Sequence, residues 1–591
     1  MSEHEYYIGF DVGTGSARAA ILNRNGKILA DHTENTITYR DDSDHRVFEQ
    51  STSNIWSCLA KCCKSVLEKS GVAPESVQGV SFDATCSLAV VDKEGNPISV
   101  SKGEGLGQEG DRNVILWADH RAEKEAEEIN KTGEGVLNFV GGLEMEIPKT
   151  LWLKRNMSPA DFDKVFLFDL PDYLTYRATG SSARSNCSLA CKFSYVPPGT
   201  NMNTGTENAM EEISKGWSAS FLKKIGLESL VQRNYDQIGG TPGENGLILT
   251  AGQPVGQGLT AEAAKDFGLV EGTPVGSAVI DAYAGWIGTV AAGHEHEEAT
   301  AQKATLADST SRLAAVAGTS TCHLVQSNHA ILVNGVWGPY RHAVFPDYWM
   351  NEGGQSSTGQ LIDFIMQTHP AYDKVQDMAR KQGSSVFDVL ETKLEELKKE
   401  RGCATSSNRS PLADPTMRGM IMGLTLDSGV GDLAIKFHVT LEAIALQTRH
   451  ILDEMHARGH RIEAIYMSGS QAKNMPLMCL LASVCGVKVI IPPAPSAAVV
   501  AGSAMLGRYA HDVTKERNGQ PIETQAQQEE SANKSKEALW QIMVEMTPSG
   551  KAVMPSATNY EQRLLDAKYK IFRESIDVQR KWRSMMGSVT K

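Results

Sequence analysis

The chain is most easily bounded by what it lacks. No stretch approaches the roughly 18 uninterrupted apolar residues that a membrane helix needs. The opening MSEHEYYIGF is charged and carries no apolar leader core, so a cytoplasmic location with no membrane partner is expected. No Cys-x-x-Cys pair and no Cys/His ladder with zinc spacing occurs. The 10 cysteines therefore read as buried, reduced thiols rather than as a disulfide framework. There is no surplus of basic residues either. With 58 Lys and Arg against 71 Asp and Glu, a formal net charge of -13 and a pI near 5.7, nucleic acid is excluded as a general partner. A Walker-type Gly-x-x-x-x-Gly-Lys-Ser/Thr sequence is absent, which removes the P-loop kinases.

What is present starts with YYIGFDVGTGSARAAIL at 6–22: an apolar strand, a glycine-rich turn and a second apolar strand. Gly13 and Gly15 can adopt positive φ and leave backbone N–H groups open to a phosphate. Thr14 and Ser16 add hydroxyls and Arg18 a cation. A carboxylate beside phosphate, as at Asp11, makes sense with Mg²⁺ between them. The plain alternative is an ordinary hairpin. A dinucleotide fingerprint fits poorly, because position 18 is Arg where a third small residue is needed.

At 591 residues the chain exceeds one core, and its 41% hydrophobic content is that of a globular protein, so two domains with appendages are expected. The period changes to helical over 51–69, with Ser51, Thr52 or Ser53 available as a cap, and a buried strand QGVSFDAT follows. It ends at Asp83-Ala84-Thr85-Cys86-Ser87, where an open α/β sheet would receive a ligand. A strand-like run, VILWADHRA, brings Trp117, Asp119, His120 and Arg121 to a second edge; a helix-capping Asp would explain the same residues. Lys192 lies among small and apolar residues, either snorkelling outward or drawn inward by an anionic partner. The apolar strand PVGSAVI ends on Asp281 with Ala282, Ala284 and Gly285 leaving room beside it. That makes Asp281 a general-base candidate, against the alternative of a helix cap.

The loops at 197–215 and 293–311 read as surface. His294 and His296 among glutamates are expected to be solvated rather than metal ligands. Beyond them the opening pattern returns: LAAVAGTSTCHLVQ holds Gly318, Thr319 and Ser320 between two apolar runs, 305 residues after Gly13. Two such hairpins suggest a duplicated fold whose halves grip one nucleotide. YWMNEGGQSSTG is expected to place Glu352 and Gln355 on a glycine-loosened loop. The strand IEAIYMSGS gives way to Gly469, Ser470 and Asn474 at a helix start, where an adenosine could lie against backbone. From about 511 the chain turns polar, and the last 30 residues resume helical periodicity, expected to dock on the second half.

Taken in order, GFDVGTGSARAAI, SFDATCSL, WADHRA, CKFSY, GSAVIDAYAGWIG, the GTS at 318–320, NEGGQSSTG, NRSPLADPTMRGMIMGLTLDS and SGSQAKN resemble the FGGY carbohydrate kinase family, and within it the pentulose kinase branch. The likeness runs from the first hairpin to about residue 510. It implies an α/β, two-domain sugar kinase/actin-like ATPase fold of duplicated ribonuclease H-like domains, with the active site in the interdomain cleft. The implied division is 1–293 for the N-terminal domain, 312–510 for the C-terminal domain and 511–591 for a polar linker with a helical extension. The implied reaction moves the γ-phosphoryl group of ATP, with Mg²⁺, to the C5 hydroxyl of a ketopentose, D-ribulose first. Other pentuloses or pentitols, or an actin- or chaperone-like ATPase, are the alternatives.

By the same resemblance Asp11 would hold Mg²⁺ through water, and Gly13, Thr14, Gly15, Ser16 and Arg18 would face phosphates. Gly318, Thr319 and Ser320 would form the second phosphate loop, with Gly469, Ser470 and Asn474 at the adenosine. Asp281 would be the catalytic base, and Ala84, Asp119, Lys192, Asp281 and Glu352 would line the sugar site. A homodimer is the implied assembly. Two features depart from the family pattern: Ser470 stands where paired glycines are usual, and Thr150 in EIPKTLWLKRN takes a normally apolar place.

Overall fold

The computed structural model describes residues 5–132, 144–200, 216–294, 304–401, 407–408 and 420–589. Much of the 197–215 and 293–311 loops, including His296, and most of the 408–428 motif lie outside the described residues.

Two sheets repeat one topology. In the first, strand Tyr6–Val12 pairs antiparallel with Ser16–Asn23, which pairs antiparallel with Ile28–Asn35. On its other side Tyr6–Val12 runs parallel to Val77–Ala84, and that strand to Val275–Ile280. In the second, Arg312–Ala317 takes the central place, with Thr321–Ser327 and Trp349–Gln355 antiparallel on one side and Ala464–Ser468 and Lys488–Ile491 parallel on the other. The likeness of the two hairpins extends to their closing bonds: the Gly13 N–H donates to the Ser16 carbonyl and the Gly318 N–H to the Ser320 carbonyl, both at 2.9 Å. A third, smaller sheet of short strands, Tyr39–Arg40, Phe48–Gln50, Val114–Ile115, Leu88–Val91 and Phe166–Asp169, extends the first half.

The local reasons are ordinary. Helix Thr52–Ser70 starts where the Ser51 side chain accepts the Asn54 N–H and stops at Gly71, whose φ of 67° is left-handed. Its buried Ile55, Leu59, Cys62, Cys63 and Val66 face the first sheet. Strand Val275–Ile280 is buried at every position, as a strand covered on both faces must be.

Helix Ala498–Glu516 belongs by sequence to the second half, yet packs against strands Tyr6–Val12 and Val77–Ala84 and against helix Asp281–Ile287. Small residues permit the approach: a Cβ on Gly502 would lie 2.0 Å from the Ala284 carbonyl oxygen, and one on Gly288 the same distance from that of Ala498. One hydrophobic core, containing Val279, Trp286, Leu324, Phe345, Val500 and Met505, therefore runs between the two sheets.

Two expectations are corrected. Glu352 and Gln355 lie on strand Trp349–Gln355, not on a loop. Gly353 is tolerated in that strand because its bare α-carbon admits Ile451, whose Cγ2 would stand 2.7 Å from any Cβ. The polar stretch after 511 holds helix Gln525–Met546, capped by a Thr524/Gln527 capping box, which buries Leu539, Trp540 and Met543 beneath a polar exterior. The last helix, Asn559–Val589, docks on the second half through Leu565, Tyr569, Phe572 and Ile576.

Candidate active site

The ends of strands from both sheets open on one cavity of about 280 Å³, close to the lower limit of small-ligand pockets. Of the residues expected at the site, Asp11, Gly13, Thr14, Lys192, Asp281, Gly318, Thr319, Ser320, Glu352 and Gly469 line it.

The first hairpin enters through its turn. Thr14 is fixed from two sides: the Trp117 indole donates to its hydroxyl at 3.0 Å and the Gln50 amide to its carbonyl at 2.9 Å. Neither Gly13 nor Gly15 adopts positive φ, which corrects the expected reason for glycine here. A Cβ on Gly15 or on Gly318 would meet nothing within 4 Å. What glycine supplies at these turns is an uncovered backbone. Gly469 is different, with φ 85° and a virtual Cβ 2.2 Å from the Ala317 carbonyl oxygen, so the residue after strand Ala464–Ser468 must be glycine for the loop to lie against the second hairpin.

Three carboxylates gather at the ends of the parallel strands. Asp11 is in register with Arg18 on one neighbouring strand and with Asp83 on the other. Burial raises the Asp11 carboxyl, against the pull of Arg18. Burial, reinforced by Asp11 and Asp281, pushes the Asp83 carboxyl well above its ordinary range, favouring its neutral form. Asp281 opens helix Asp281–Ile287 and accepts the N–H of Ala282 at 2.7 Å. Burial first, and then the charge of Asp11, raise Asp281 to about 7. A carboxylate poised there can take a proton at neutral pH.

The same cavity holds Lys192, the last residue of helix Asn186–Lys192, which is buried and therefore the inward of the two alternatives. Burial works against its charge, but Cys86, Glu352, Tyr340 and Glu144 together hold it well above its usual range, as an ammonium. Its Nζ stands 5.5 Å from the centre of the Trp337 ring. Glu352, from the second sheet, accepts the Tyr283 hydroxyl at 3.4 Å. Glu144, also lining the cavity, is raised by burial and opposed by Lys192.

Several expected residues are not brought to the cavity wall. Arg18 is spent across the molecule, donating to the Ser496 carbonyl at 2.5 Å and to the Thr33 hydroxyl at 3.2 Å. Asp119 is buried in an ionic knot: it accepts the Phe48 N–H at 2.7 Å and the Arg121 guanidinium, which also reaches Glu49 at 2.8 Å. Its role is to brace the loop that carries Trp117. Asn474 caps helix Met475–Cys485 through the Leu477 N–H. Ala84 is a buried strand residue in register with Val12, and Gly15, Ser16 and Ser470 lie outside the lining.

Thr85, Cys86, Trp117 and Gln355, marked in the sequence at strand ends and beside the glycine-rich turn, line the cavity, and so do Glu144, Trp337 and Cys322, which the sequence did not mark. The strand-end rule pointed to Thr85 and Cys86, which follow Ala84 directly. Glu144 and Trp337 carry no local signal, because only the tertiary fold brings them to Lys192.

Comparison with known proteins agrees with the geometry. A model of the FGGY family of carbohydrate kinases, N-terminal domain, matches residues 6–205, and the model of the C-terminal domain of that family matches 313–511. The chain is 38% identical to a D-ribulokinase of Saccharomyces cerevisiae over 99% of this chain and 94% of that protein. It is also 38% identical to an FGGY carbohydrate kinase domain-containing protein of Homo sapiens, over 98% of each. A xylulose kinase from Rhodospirillum rubrum superposes with a TM-score of 0.67 at 17% identity, covering 98% of this chain and 99% of that one.

Proposed function

Because the chain belongs to the FGGY family of carbohydrate kinases, and is thus an ATP-dependent sugar kinase of two-domain, actin-like α/β fold, we propose that its acceptor is a ketopentose, D-ribulose first, phosphorylated on the C5 hydroxyl. The observation that carries this is the arrangement at Lys192. One buried ammonium faced by carboxylates from both halves, Glu144 and Glu352, suits a carbonyl-bearing polyol held in the same cavity as the base Asp281. The 38% identity with a D-ribulokinase along nearly the whole of both chains supports the choice of sugar.

In this reading the triphosphate lies between the turns at Gly13–Ser16 and Gly318–Ser320, with the adenosine against Gly469. We assign 1–293 and 312–510 as the two domains, with helix Ala498–Glu516 reaching back to the first. Mg²⁺ would be held through water by Asp11, the carboxylate that lines the cavity beside the turn at Gly13 and Thr14. Bound there, the ion would neutralise phosphate charge. Asp281 takes the proton of the attacking hydroxyl as its oxygen bonds to phosphorus. Lys192 and Glu352 hold the sugar in line, since phosphoryl transfer rests mainly on positioning and charge.

The test is ADP release with Mg·ATP across D-ribulose, L-ribulose, D-xylulose and ribitol, ranked by kcat/KM. D-Ribulose is expected to lead. If it ranks below another of the four, the substrate reading is overturned.

A further inference from the structure

Behind the cavity wall stands Tyr283, which the chemistry above does not use. It follows Asp281 by two residues on the same helix, is wholly buried, and does not itself line the cavity. Its hydroxyl sits at a junction. The thiol of Cys191, the residue before Lys192, donates to the phenol oxygen at 3.1 Å, and the phenol donates to the Glu352 carboxylate at 3.4 Å. Cys191 and Tyr283 belong to the first half and Glu352 to the second. Burial, and then Cys191 and Glu352, push the phenol well above its ordinary range, favouring the protonated form that donates.

Among the described residues no other side chain donates a hydrogen bond to Glu352. Without that partner the carboxylate can turn about its own side-chain bonds, whereas an acceptor that is to meet one sugar hydroxyl must be held. The 3.4 Å separation exceeds the roughly 2.5–3.0 Å of a formed O–H···O bond, which leaves the contact room to shorten as the two halves draw together on a substrate.

We propose that Tyr283 is a positioning residue for the sugar: its hydroxyl fixes the Glu352 carboxylate across the cleft, so that the grip on the acceptor is complete only when the helix bearing Asp281 and the strand bearing Glu352 have met. This rests on Glu352 holding the sugar, as proposed above. The consequence is selectivity. A carboxylate with a fixed direction accepts one hydroxyl configuration and misaligns an epimer's, while one that swings accepts either. Tyr283→Phe keeps the ring and its packing and removes only the hydroxyl, and the thiol left behind is a weak donor that loses little.

A double-mutant cycle on the full chain tests this by ADP release with Mg·ATP, using whichever of D-ribulose, L-ribulose, D-xylulose and ribitol gives the highest kcat/KM. The outcome therefore does not depend on which sugar leads. Tyr283→Phe should raise the KM for that sugar about tenfold, as loss of a hydrogen bond to a charged group would, with kcat within about twofold and the KM for ATP unchanged. It should also shrink the lead of that sugar over the other three by about fivefold. Glu352→Ala, which removes the acceptor, should raise the sugar KM further, and in that background Tyr283→Phe should cost less than about twofold. An unchanged KM for ATP establishes that each variant is folded. Wild-type sugar KM and selectivity in Tyr283→Phe, beside a raised KM in Glu352→Ala, overturn the role of Tyr283 alone. Wild-type sugar KM in Glu352→Ala overturns the sugar-site reading and this proposal with it. Losses that multiply independently in the double variant, or a fall in kcat and ATP affinity together in Tyr283→Phe, mark a purely structural part and overturn it as well.

Discussion

Asp281 offers the most demanding test, because the environment that would suit it as the proposed base must also cost the fold stability. Its carboxyl is raised from 3.8 to about 7, by burial first and by Asp11 second. Only the ionised form can accept the hydroxyl proton. The ionised fraction is roughly one tenth at pH 6 and nine tenths at pH 8, so kcat/KM should rise about tenfold between them with an inflection near 7. The linkage runs the other way. Unfolded, the group ionises near 3.8; folded, it resists ionisation until about 7, so it contributes nothing below pH 4 and destabilises the native state increasingly as pH rises through that window. The gap converts to at most roughly 4 kcal/mol at pH 8, reduced by whatever cleft water screens. Asp281→Asn removes both effects. It should lower kcat about 10²- to 10⁴-fold while leaving nucleotide affinity within several-fold, and should raise the thermal midpoint at pH 8 but not at pH 4. Steady-state ADP release and thermal unfolding, each run against pH, are sufficient. A kcat/KM flat from pH 6 to 8, or an Asn variant with near-full turnover, refutes the assignment. An Asn variant no more stable at pH 8 refutes the electrostatic argument separately.

Two further outcomes follow from packing and pairing. Gly502→Ala would put a methyl 2.0 Å from the Ala284 carbonyl, forcing helix Ala498–Glu516 off the helix that carries Asp281; a loss of about 1–3 kcal/mol in denaturant unfolding is expected, with kcat falling more than KM rises. Asp119→Ala leaves the buried Arg121 facing Glu49 alone and should destabilise by about 3–5 kcal/mol, while the KM for sugar in the folded fraction stays at the wild-type value; a large, selective rise in sugar KM would return Asp119 to the substrate site.

These cases also show why some of the site could be read from the chain and some could not. Asp11, Asp281 and the two glycine turns were legible because each sits at the end of an apolar strand, and an α/β sheet delivers its strand ends to one edge whatever the rest of the chain does. Arg18 and Asp119 looked equally suitable by residue type, yet both are consumed as braces, Arg18 by the Ser496 carbonyl and Asp119 by Phe48 and Arg121. A charge's partners are long-range facts: 478 residues separate Arg18 from Ser496. Glu352 lines the cavity as expected but sits on a strand rather than a loop, since two glycines suggest a loop until Ile451 is seen against Gly353 and Trp337 against Gly354. The environment of Lys192 was the least legible of all. Its charge is kept by Cys86 and Glu144 from its own half and by Glu352 and Tyr340 from the other, and the latter two arrive only when the two halves close on a shared core. The discrimination among sugars is therefore a property of how the halves meet. Packing between helices Asp281–Ile287 and Ala498–Glu516, rather than the identity of the lining residues alone, should set which sugar fits.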